Sequence, residues 1–323
     1  MSDENTNQLM AQAAWLYYNG GFNQEETAKR LGLTRARVNK LLSQARDSGL
    51  VSISINERDI GLLVEEDAIR QAFGLDFCIA TPPLGLTDQA GDAMEEIAFN
   101  MVGAAAAQVL RDQLTAKPDA IIGTGWGRTL ERVSRNLSGI QAPNAKFVSL
   151  MGSLASNSSF NPFEVVHAMA KATGSEGYFL PAPFIADGAE DRDVFLAQGG
   201  ISGIMQLANE ADLALVSVGE LTEASLLRQQ NMISAEDLLS LRAAGAVADT
   251  NGIFFACDGL PVPHQLNDRV IAVGLDRLST MKTVLLSAGL GKVPATKALL
   301  NSGAVKALII DGDSARALCK ALG

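Results

Sequence analysis

Between residues 77 and 312 the chain keeps returning to one unit: a short apolar run that ends in glycine, proline or aspartate, then a longer stretch with helical spacing. FCIATP, AIIGTG, KFVSLMG, GYFLPAP, LALVSVG, VIAVG, TVLLSAG and ALIIDG are eight such runs. A strand that is apolar throughout is buried on both faces, and strands of that kind separated by helices predict a parallel sheet covered on each side. The expected fold class is therefore α/β. Ligands of such sheets bind outside the carboxyl ends of the strands, where the terminal Gly, Pro and Asp residues lie.

The first sixty residues read differently. The chain carries a formal charge of -10 over 323 residues, yet the window from Lys29 to Arg46 holds Lys29, Arg30, Arg35, Arg37, Lys40 and Arg46 and no acid. Leu9, Met10, Ala13, Ala14, Leu16 and Tyr17 recur at three- and four-residue steps, as in an amphipathic helix that Gly20-Gly21 ends. Asn23 and Glu26 have the spacing of a capping box for a second, short helix. Gly32 allows a tight turn, and Thr34 is a good cap for a third helix over about 35–48. Val38, Leu41, Leu42 and Ala45 share its inner face, which leaves Arg35, Arg37, Asn39, Lys40 and Gln44 outside.

Three short helices with a capped turn before the last meet the requirements of a helix-turn-helix, whose third helix enters the major groove while flanking cations meet phosphates. Thr34, Arg35, Arg37, Asn39, Lys40 and Gln44 are accordingly the candidate contacts to double-stranded operator DNA. The alternative is an ordinary solvated helix face, and the coincidence of the acid-free window with the third helix argues against it. LVSISIN, alternating from Val51 to Ile55, reads as a short strand or wing. The expected organisation is a DNA-binding domain over 1–57 and an α/β domain over 58–323. Between them ERDIGLLVEEDAIRQAFGL reads as a linker helix, with Ile60, Leu63, Val64, Ala68, Ile69 and Phe73 available for pairing with a second subunit.

Other classes find little support. No stretch has the roughly 20 apolar residues of a membrane span, and the polar, acidic N-terminus does not resemble an export signal, so a cytoplasmic location is expected. Cys78, Cys257 and Cys319 lie far apart, and His167 and His264 sit in no ligand spacing, so no metal or cofactor is implied.

The sharpest loop is GTGWGRTL, Gly123 to Leu130, between a strand and a helix. Its glycines permit close approach of backbone N–H groups, the helix N-terminus favours an anion, and Thr124, Arg128 and Thr129 add donors. That chemistry suits a phosphate or a polyhydroxy ligand, although a tight turn with glycines for packing would look the same. The loop lacks both G-x-G-x-x-G and the Walker lysine-serine pair, which argues against dinucleotides and nucleoside triphosphates. MGSLASNSSFNPFE is a second polar loop after a strand. Lys292, in SAGLGKVPATKALL, opens a helix where an ammonium could meet an anion. Asp249 and Asp258 could accept sugar hydroxyls or merely cap turns, and Trp126 could stack on a ligand or plug the core.

These segments carry a resemblance. YYNGGFNQEETAKRLGLTRARVNKLLSQARDSGLVSISI, IIGTGWGRTL, NPFEVVHAMA, YFLPAPFIAD, ALVSVGEL, GAVADTNGIFFACDG, LNDRVIAVGLDRL and KALIIDGDSARAL, in this order over nearly the whole chain, resemble the SorC/DeoR-type sugar-binding transcriptional regulators. The resemblance implies a helix-turn-helix joined to a Rossmann-like effector domain related to sugar-phosphate isomerases and glucosamine-phosphate deaminases. It also implies a homo-oligomer, a dimer or more usually a tetramer, whose DNA binding responds to a small sugar, polyol or sugar phosphate. The effector site it implies is Thr124, Gly125, Trp126, Gly127, Arg128 and Thr129, with Gly152, Ser153, Asp249 and Lys292. The chain reads AGLGK where many relatives have Ala-Gly-Gly, two residues and then Lys, so the resemblance leaves open whether the effector is phosphorylated.

The alternative is a sugar-phosphate isomerase or deaminase. Such an enzyme needs a base and an acid beside the sugar carbonyl. Asp249, Asp258 and His264 are available, but no motif arranges them, and residues 1–56 would have no purpose.

Overall fold

The structure, a computed structural model, describes residues 3–51, 62–87, 92–137, 139–154 and 161–322. The chain divides into two compact units, Met1–Asn56 with Ser138–Ile140, and Glu57–Leu137 with Gln141–Gly323.

In the first unit, α1 (Asp3–Ala14) runs into a wider π-turn over Trp15–Asn19, which Gly20 closes by donating its N–H to the Trp15 carbonyl at 2.9 Å. Then come α2 (Gln24–Leu31) and α3 (Arg35–Asp47). The expected capping box is present: the Asn23 side chain accepts from the backbone N–H of Glu26, whose carboxylate accepts from the N–H of Asn23. Gly32 adopts the left-handed conformation at φ 64°, which only glycine takes at little cost, and Thr34 caps α3 by accepting from Arg37 N–H at 3.2 Å. Ala13, Ala14, Ala28, Val38, Leu41, Leu42 and Ala45 form the small core. The expected wing and the boundary at residue 57 fall in 52–61, outside the described residues.

The second unit is built on one sheet. In chain order it contains α4 (Leu63–Phe73), β1 (Phe77–Ala80), α5 (Asp92–Ala116), β2 (Ile121–Thr124), α6 (Arg128–Arg135), β3 (Lys146–Ser153), α7 (Pro162–Thr173), β4 (Glu176–Pro183), α8 (Ala189–Ala197), α9 (Gly199–Asn209) and β5 (Leu213–Ser217). A second group follows, β6 (Gly219–Glu220), α10 (Leu226–Gln229), α11 (Ala235–Ala243), β7 (Ala248–Thr250), β8 (Ile253–Phe255), α12 (Gln265–Arg269) and α13 (Leu275–Leu278). β9 (Thr283–Ser287), α14 (Val293–Asn301), β10 (Ala307–Ile310) and α15 (Gly312–Lys320) end the chain.

Seven strands in the order β1-β10-β9-β5-β2-β3-β4 pair in parallel throughout. β9 and β10 are buried at every residue, as the apolar sequence of β10 and the Val-Leu-Leu centre of β9 require. The core around them includes Ile69, Leu150, Val216, Leu285, Leu299, Leu308 and Leu318.

Three expectations are corrected. VIAVG, an expected strand, joins no ladder; it is tied by single antiparallel bridges, Val270 to Ile185 and Ala272 to Met151. A separate antiparallel sheet, β6-β7-β8, stands apart from the parallel one, with its own core of Trp126, Phe184, Leu238, Leu241 and Phe254. In the linker helix, Ile60 lies outside the described residues, Ile69 is fully buried and Phe73 packs on the domain's own core, so among the described residues Leu63 and Val64, 61% and 80% exposed, are the large apolar side chains left for a partner.

Candidate functional site

From β2 the chain steps outward to β3 and β4, whereas from β5 it steps the other way to β9 and β10. β2 and β5 are neighbours, so the connections leaving their carboxyl ends diverge and open a crevice, the place where α/β sheets bind ligands. A cleft of about 470 Å³, its open mouth included, lies there. Trp126, Gly127, Arg128 and Thr129 line it from the turn after β2, and Ser217, Val218, Gly219 and Glu220 from the end of β5 and β6. Ser225, Leu226 and Leu227 come from the start of α10, Asp249 from β7, and Lys292 from the turn before α14.

The turn after β2 is locally determined. Gly125 donates to the Leu215 carbonyl at 2.8 Å, tying the turn to β5, and a Cβ there would press on Oδ1 of Asn251 at 3.0 Å. Gly127 sits at φ 112°, a conformation that excludes side chains, and its carbonyl receives the first helical hydrogen bond of α6, from Glu131 N–H at 3.1 Å. Trp126 is 6% exposed, 6.2 Å from Phe184 between ring centroids, and its carbonyl accepts from the Ser217 hydroxyl at 2.8 Å. It plugs the core of the smaller sheet, where it fastens the turn, and it also lines the cleft.

Of the ten residues expected at the effector site, six line the cleft: Trp126, Gly127, Arg128, Thr129, Asp249 and Lys292. Thr124 is fully buried at the end of β2, and Gly125 lies in the turn behind it. Gly152 and Ser153 stand at the end of β3 and do not line the cleft. Gly152 donates to the Ile271 carbonyl at 2.8 Å, and a Cβ on it would strike the Pro183 carbonyl, so packing against β4 accounts for this glycine. Residues 155–160 of the second loop lie outside the described residues. Asp258 caps a turn, accepting from Leu260 N–H at 3.0 Å.

Electrostatics mark out the acid and the ammonium. Asp249 is 3% exposed, and burial pushes its carboxyl up to about 7, with Glu220 adding to the shift; the Gly252 N–H, 3.2 Å from Oδ2, and Lys292 oppose it. Burial lowers the Lys292 ammonium from its ordinary value, Arg128 adds to the lowering, and Glu220, Asp249 and Glu95 oppose it. The hydroxyls of Thr124, Thr129, Ser153 and Ser225 and the amide nitrogen of Asn251 are buried without a hydrogen-bond partner among the described residues. Native proteins satisfy most such groups, and two of these hydroxyls, those of Thr129 and Ser225, belong to residues that line the cleft.

Some cleft residues were not singled out from the sequence. Ser217, Gly219 and Glu220 lie in LALVSVGEL, whose polar end directly follows an apolar run; Ser225 and the Phe99 ring behind the cleft carry no local signal. In the first unit, Thr34, Arg35, Asn39, Lys40 and Gln44 are exposed and Arg37 is half-buried. Arg35 Nε donates to Gln24 Oε1 and Gln24 Nε2 to Asn39 Oδ1, both at 3.5 Å, so α2 braces the outer face of α3. Among the described residues no cluster of His, Cys, Asp and Glu could hold a metal, and no helix is long and apolar enough to cross a membrane.

A parallel α/β domain with a cleft at its switch point, preceded by a capped trihelical unit, defines a ligand-binding class, and comparison with known proteins specifies it. Residues 58–320 match the family described as a putative sugar-binding domain. The chain is 32% identical to the erythritol catabolism regulatory protein EryD of Brucella abortus (strain 2308) over 310 residues, 96% of each chain. It is 27% identical to the deoxyribonucleoside regulator of Bacillus subtilis (strain 168), covering 98% of each. Its fold matches the full-length sorbitol operon regulator SorC from Klebsiella pneumoniae with a TM-score of 0.70 and 21% identity, over 98% of this chain and 100% of that one. The chain belongs to the SorC/DeoR-type sugar-binding transcriptional regulators: it is a transcriptional regulator with a sugar-binding domain.

Proposed function

We propose that the chain binds double-stranded operator DNA through residues 1–57 and a small polyhydroxy effector through residues 58–323, and that the effector modulates the DNA binding. The operon served is one of carbohydrate or polyol catabolism, in keeping with the names of the erythritol and sorbitol regulators that the chain resembles. The observation that carries the effector reading is the cleft that brings Asp249, Arg128, Thr129 and Lys292 to one switch point. Asp249, acceptor-only when ionised, takes hydroxyl hydrogen bonds. Thr129 and Ser225 offer hydroxyls and the turn from Gly125 to Gly127 offers backbone, while Thr124, Gly152 and Ser153 stand at the strand ends behind the cleft. Arg128, Lys292 and the start of α6 receive a phosphate when the effector has one.

Whether the effector is phosphorylated turns on Lys292, whose positive charge Glu95, Glu220 and Asp249 all favour. A thermal-shift comparison of polyols and sugars with their monophosphates separates the two, because a ligand of the native state raises apparent stability by mass action. Asp249→Ala abolishes the shift for every ligand, whereas Lys292→Ala weakens only phosphorylated ones; a normal shift in Asp249→Ala refutes the site.

In DNA binding, Arg35, Arg37, Asn39, Lys40 and Gln44 supply the outer face of α3, and Thr34 holds its N-terminus. The protein acts as a regulator and not as an isomerase or deaminase. His264 caps α12 and shares a hydrogen bond with Ser240 at 3.0 Å, and His167 stacks on Phe163, so neither stands ready as a base at the cleft. Turnover of pentose or hexose phosphates at ordinary enzyme rates refutes this reading. The working assembly is a cytoplasmic dimer or tetramer, because operators mirror protein symmetry. Leu63 and Val64 contribute to pairing, and Leu63→Glu with Val64→Glu lowers the assembly mass in light scattering.

A further inference from the structure

Two cations of the cleft stand on one aromatic ring. Phe99, in α5 and 2% exposed, has Arg128 Cζ 5.0 Å and Lys292 Nζ 5.5 Å from its ring centroid. Among the described residues neither cation makes a hydrogen bond or ion pair. They repel each other, and burial disfavours the ammonium further. A carboxylate in place of the ring would neutralise both charges and occupy their N–H groups. An aromatic face attracts a cation through its quadrupole but accepts no strong hydrogen bond, so the charges are held while their donors stay free.

The ring is rigidly mounted. Glu96, Phe99 and Gly103 recur at helical spacing and meet α6 along its length. A Cβ on Gly103 would lie 2.5 Å from Arg132 Cβ, which shows how closely the two backbones approach, and Glu96 pairs with Arg132, which also pairs with Glu131. α6 begins at Arg128, so one helix contact fixes the ring relative to the first cation, and Lys292 reaches the same ring from the turn after β9.

We propose that Phe99 is a positioning residue of the effector site, its ring standing where a paired carboxylate would otherwise be, so that Arg128 and Lys292 are presented together, free of any direct ion pair, to one anionic group of the ligand. This rests on the effector reading above and adds to it the residue that creates the anionic subsite.

The test replaces Phe99 in the full-length protein by phenylalanines bearing one, two and three fluorines, which weaken the quadrupole at nearly constant shape. Two properties are read. The Lys292 pKa is followed by NMR of ¹³C-dimethylated lysines, with Lys292→Arg providing the assignment; inorganic phosphate is titrated by thermal shift. Because the ring favours the charged ammonium, the Lys292 pKa falls stepwise with fluorine number, and phosphate affinity falls roughly two- to tenfold over the series. Phe99→Tyr behaves as the parent, and Phe99→Leu as the trifluoro protein. A Lys292 pKa unchanged across the series overturns the role of the ring, whatever phosphate does. A falling pKa in a protein that phosphate never stabilises keeps the ring's hold on Lys292 and overturns the anionic subsite.

Discussion

Gly219 and Asp249 face each other across the antiparallel β6-β7 ladder, and a methyl group on Gly219 would collide with Oδ1 of Asp249. The glycine therefore provides the space in which the buried carboxylate sits. Its backbone is not in the left-handed region, so alanine there is sterically wrong only for its neighbour. Gly219→Ala is expected to leave circular dichroism unchanged and to weaken effector binding by about tenfold, the worth of one well-placed hydrogen bond to a charged group. Isothermal titration with the ligand found by thermal shift checks this; unchanged affinity would mean that Asp249 does not touch ligand.

Asp249 also links stability to pH. Its carboxyl titrates at about 7 in the folded protein against 3.8 for an ordinary aspartate. Below the ordinary value both states hold the proton and burial costs nothing. As pH rises from about 4 to 7 the unfolded chain releases a proton that the folded protein keeps, so stability falls, by on the order of 4 kcal/mol in total. Above that range the cost is constant. Asp249→Asn removes this slope, so its melting temperature is expected to match the parent at pH 4 and exceed it at pH 8. Parallel pH profiles for the two proteins would refute the assignment.

How much of this was legible in the sequence differs from element to element, for physical reasons. The inner sheet strands showed as apolar runs because both faces are buried, whereas β4, at the sheet edge, is apolar in sequence although half of its residues are exposed. VIAVG has the same composition and burial, since Val270, Ile271 and Val273 are packed inside, but it bridges Ile185 and Met151 antiparallel, and hydropathy cannot tell such a segment from a ladder strand. β6, β7 and β8 are too short for a period to show. The one local signal was Asn251-Gly252, an Asn-Gly hairpin turn with positive φ at both residues, 49° and 76°, within DTNGIFF. Recognising that turn would have placed Asp249 on a hairpin strand. The turn around Trp126 was legible because glycines and donors are contiguous there. Phe99 was not, because it meets Arg128 and Lys292 only through the packing of α5.

The close approach of α5 and α6 at Gly103 leaves no room for a side chain: a Cβ there would lie 2.5 Å from Arg132 Cβ and 2.9 Å from the Arg132 carbonyl carbon. Overpacking such a contact costs about 1–3 kcal/mol. Gly103→Val is expected to lower the unfolding free energy of the second unit by that amount, read as a fall in its urea midpoint, and Gly103→Ala by less. A midpoint unchanged in Gly103→Val would show that the two helices separate freely.

The last prediction concerns the outer face of α3. Arg35, Asn39 and Lys40 are exposed, Arg37 is half-buried, and Leu41 and Leu42 hold the helix to the small core, so the fold does not depend on the cations beyond the long Arg35–Gln24 contact. Arg37→Ala is expected to cost about 1–3 kcal/mol of operator affinity if it reads a guanine, and to relax specificity at that position. Lys40→Ala, if it meets a phosphate, weakens all sequences alike and lowers the salt slope by about one. Thr34→Ala acts through stability instead, because it removes the cap on Arg37 N–H and costs roughly 1 kcal/mol of folding free energy. Fluorescence anisotropy with operator and scrambled DNA at two salt concentrations separates these outcomes. Unchanged operator affinity in the combined Arg35, Arg37 and Lys40 alanine variant would show that DNA is read by another surface.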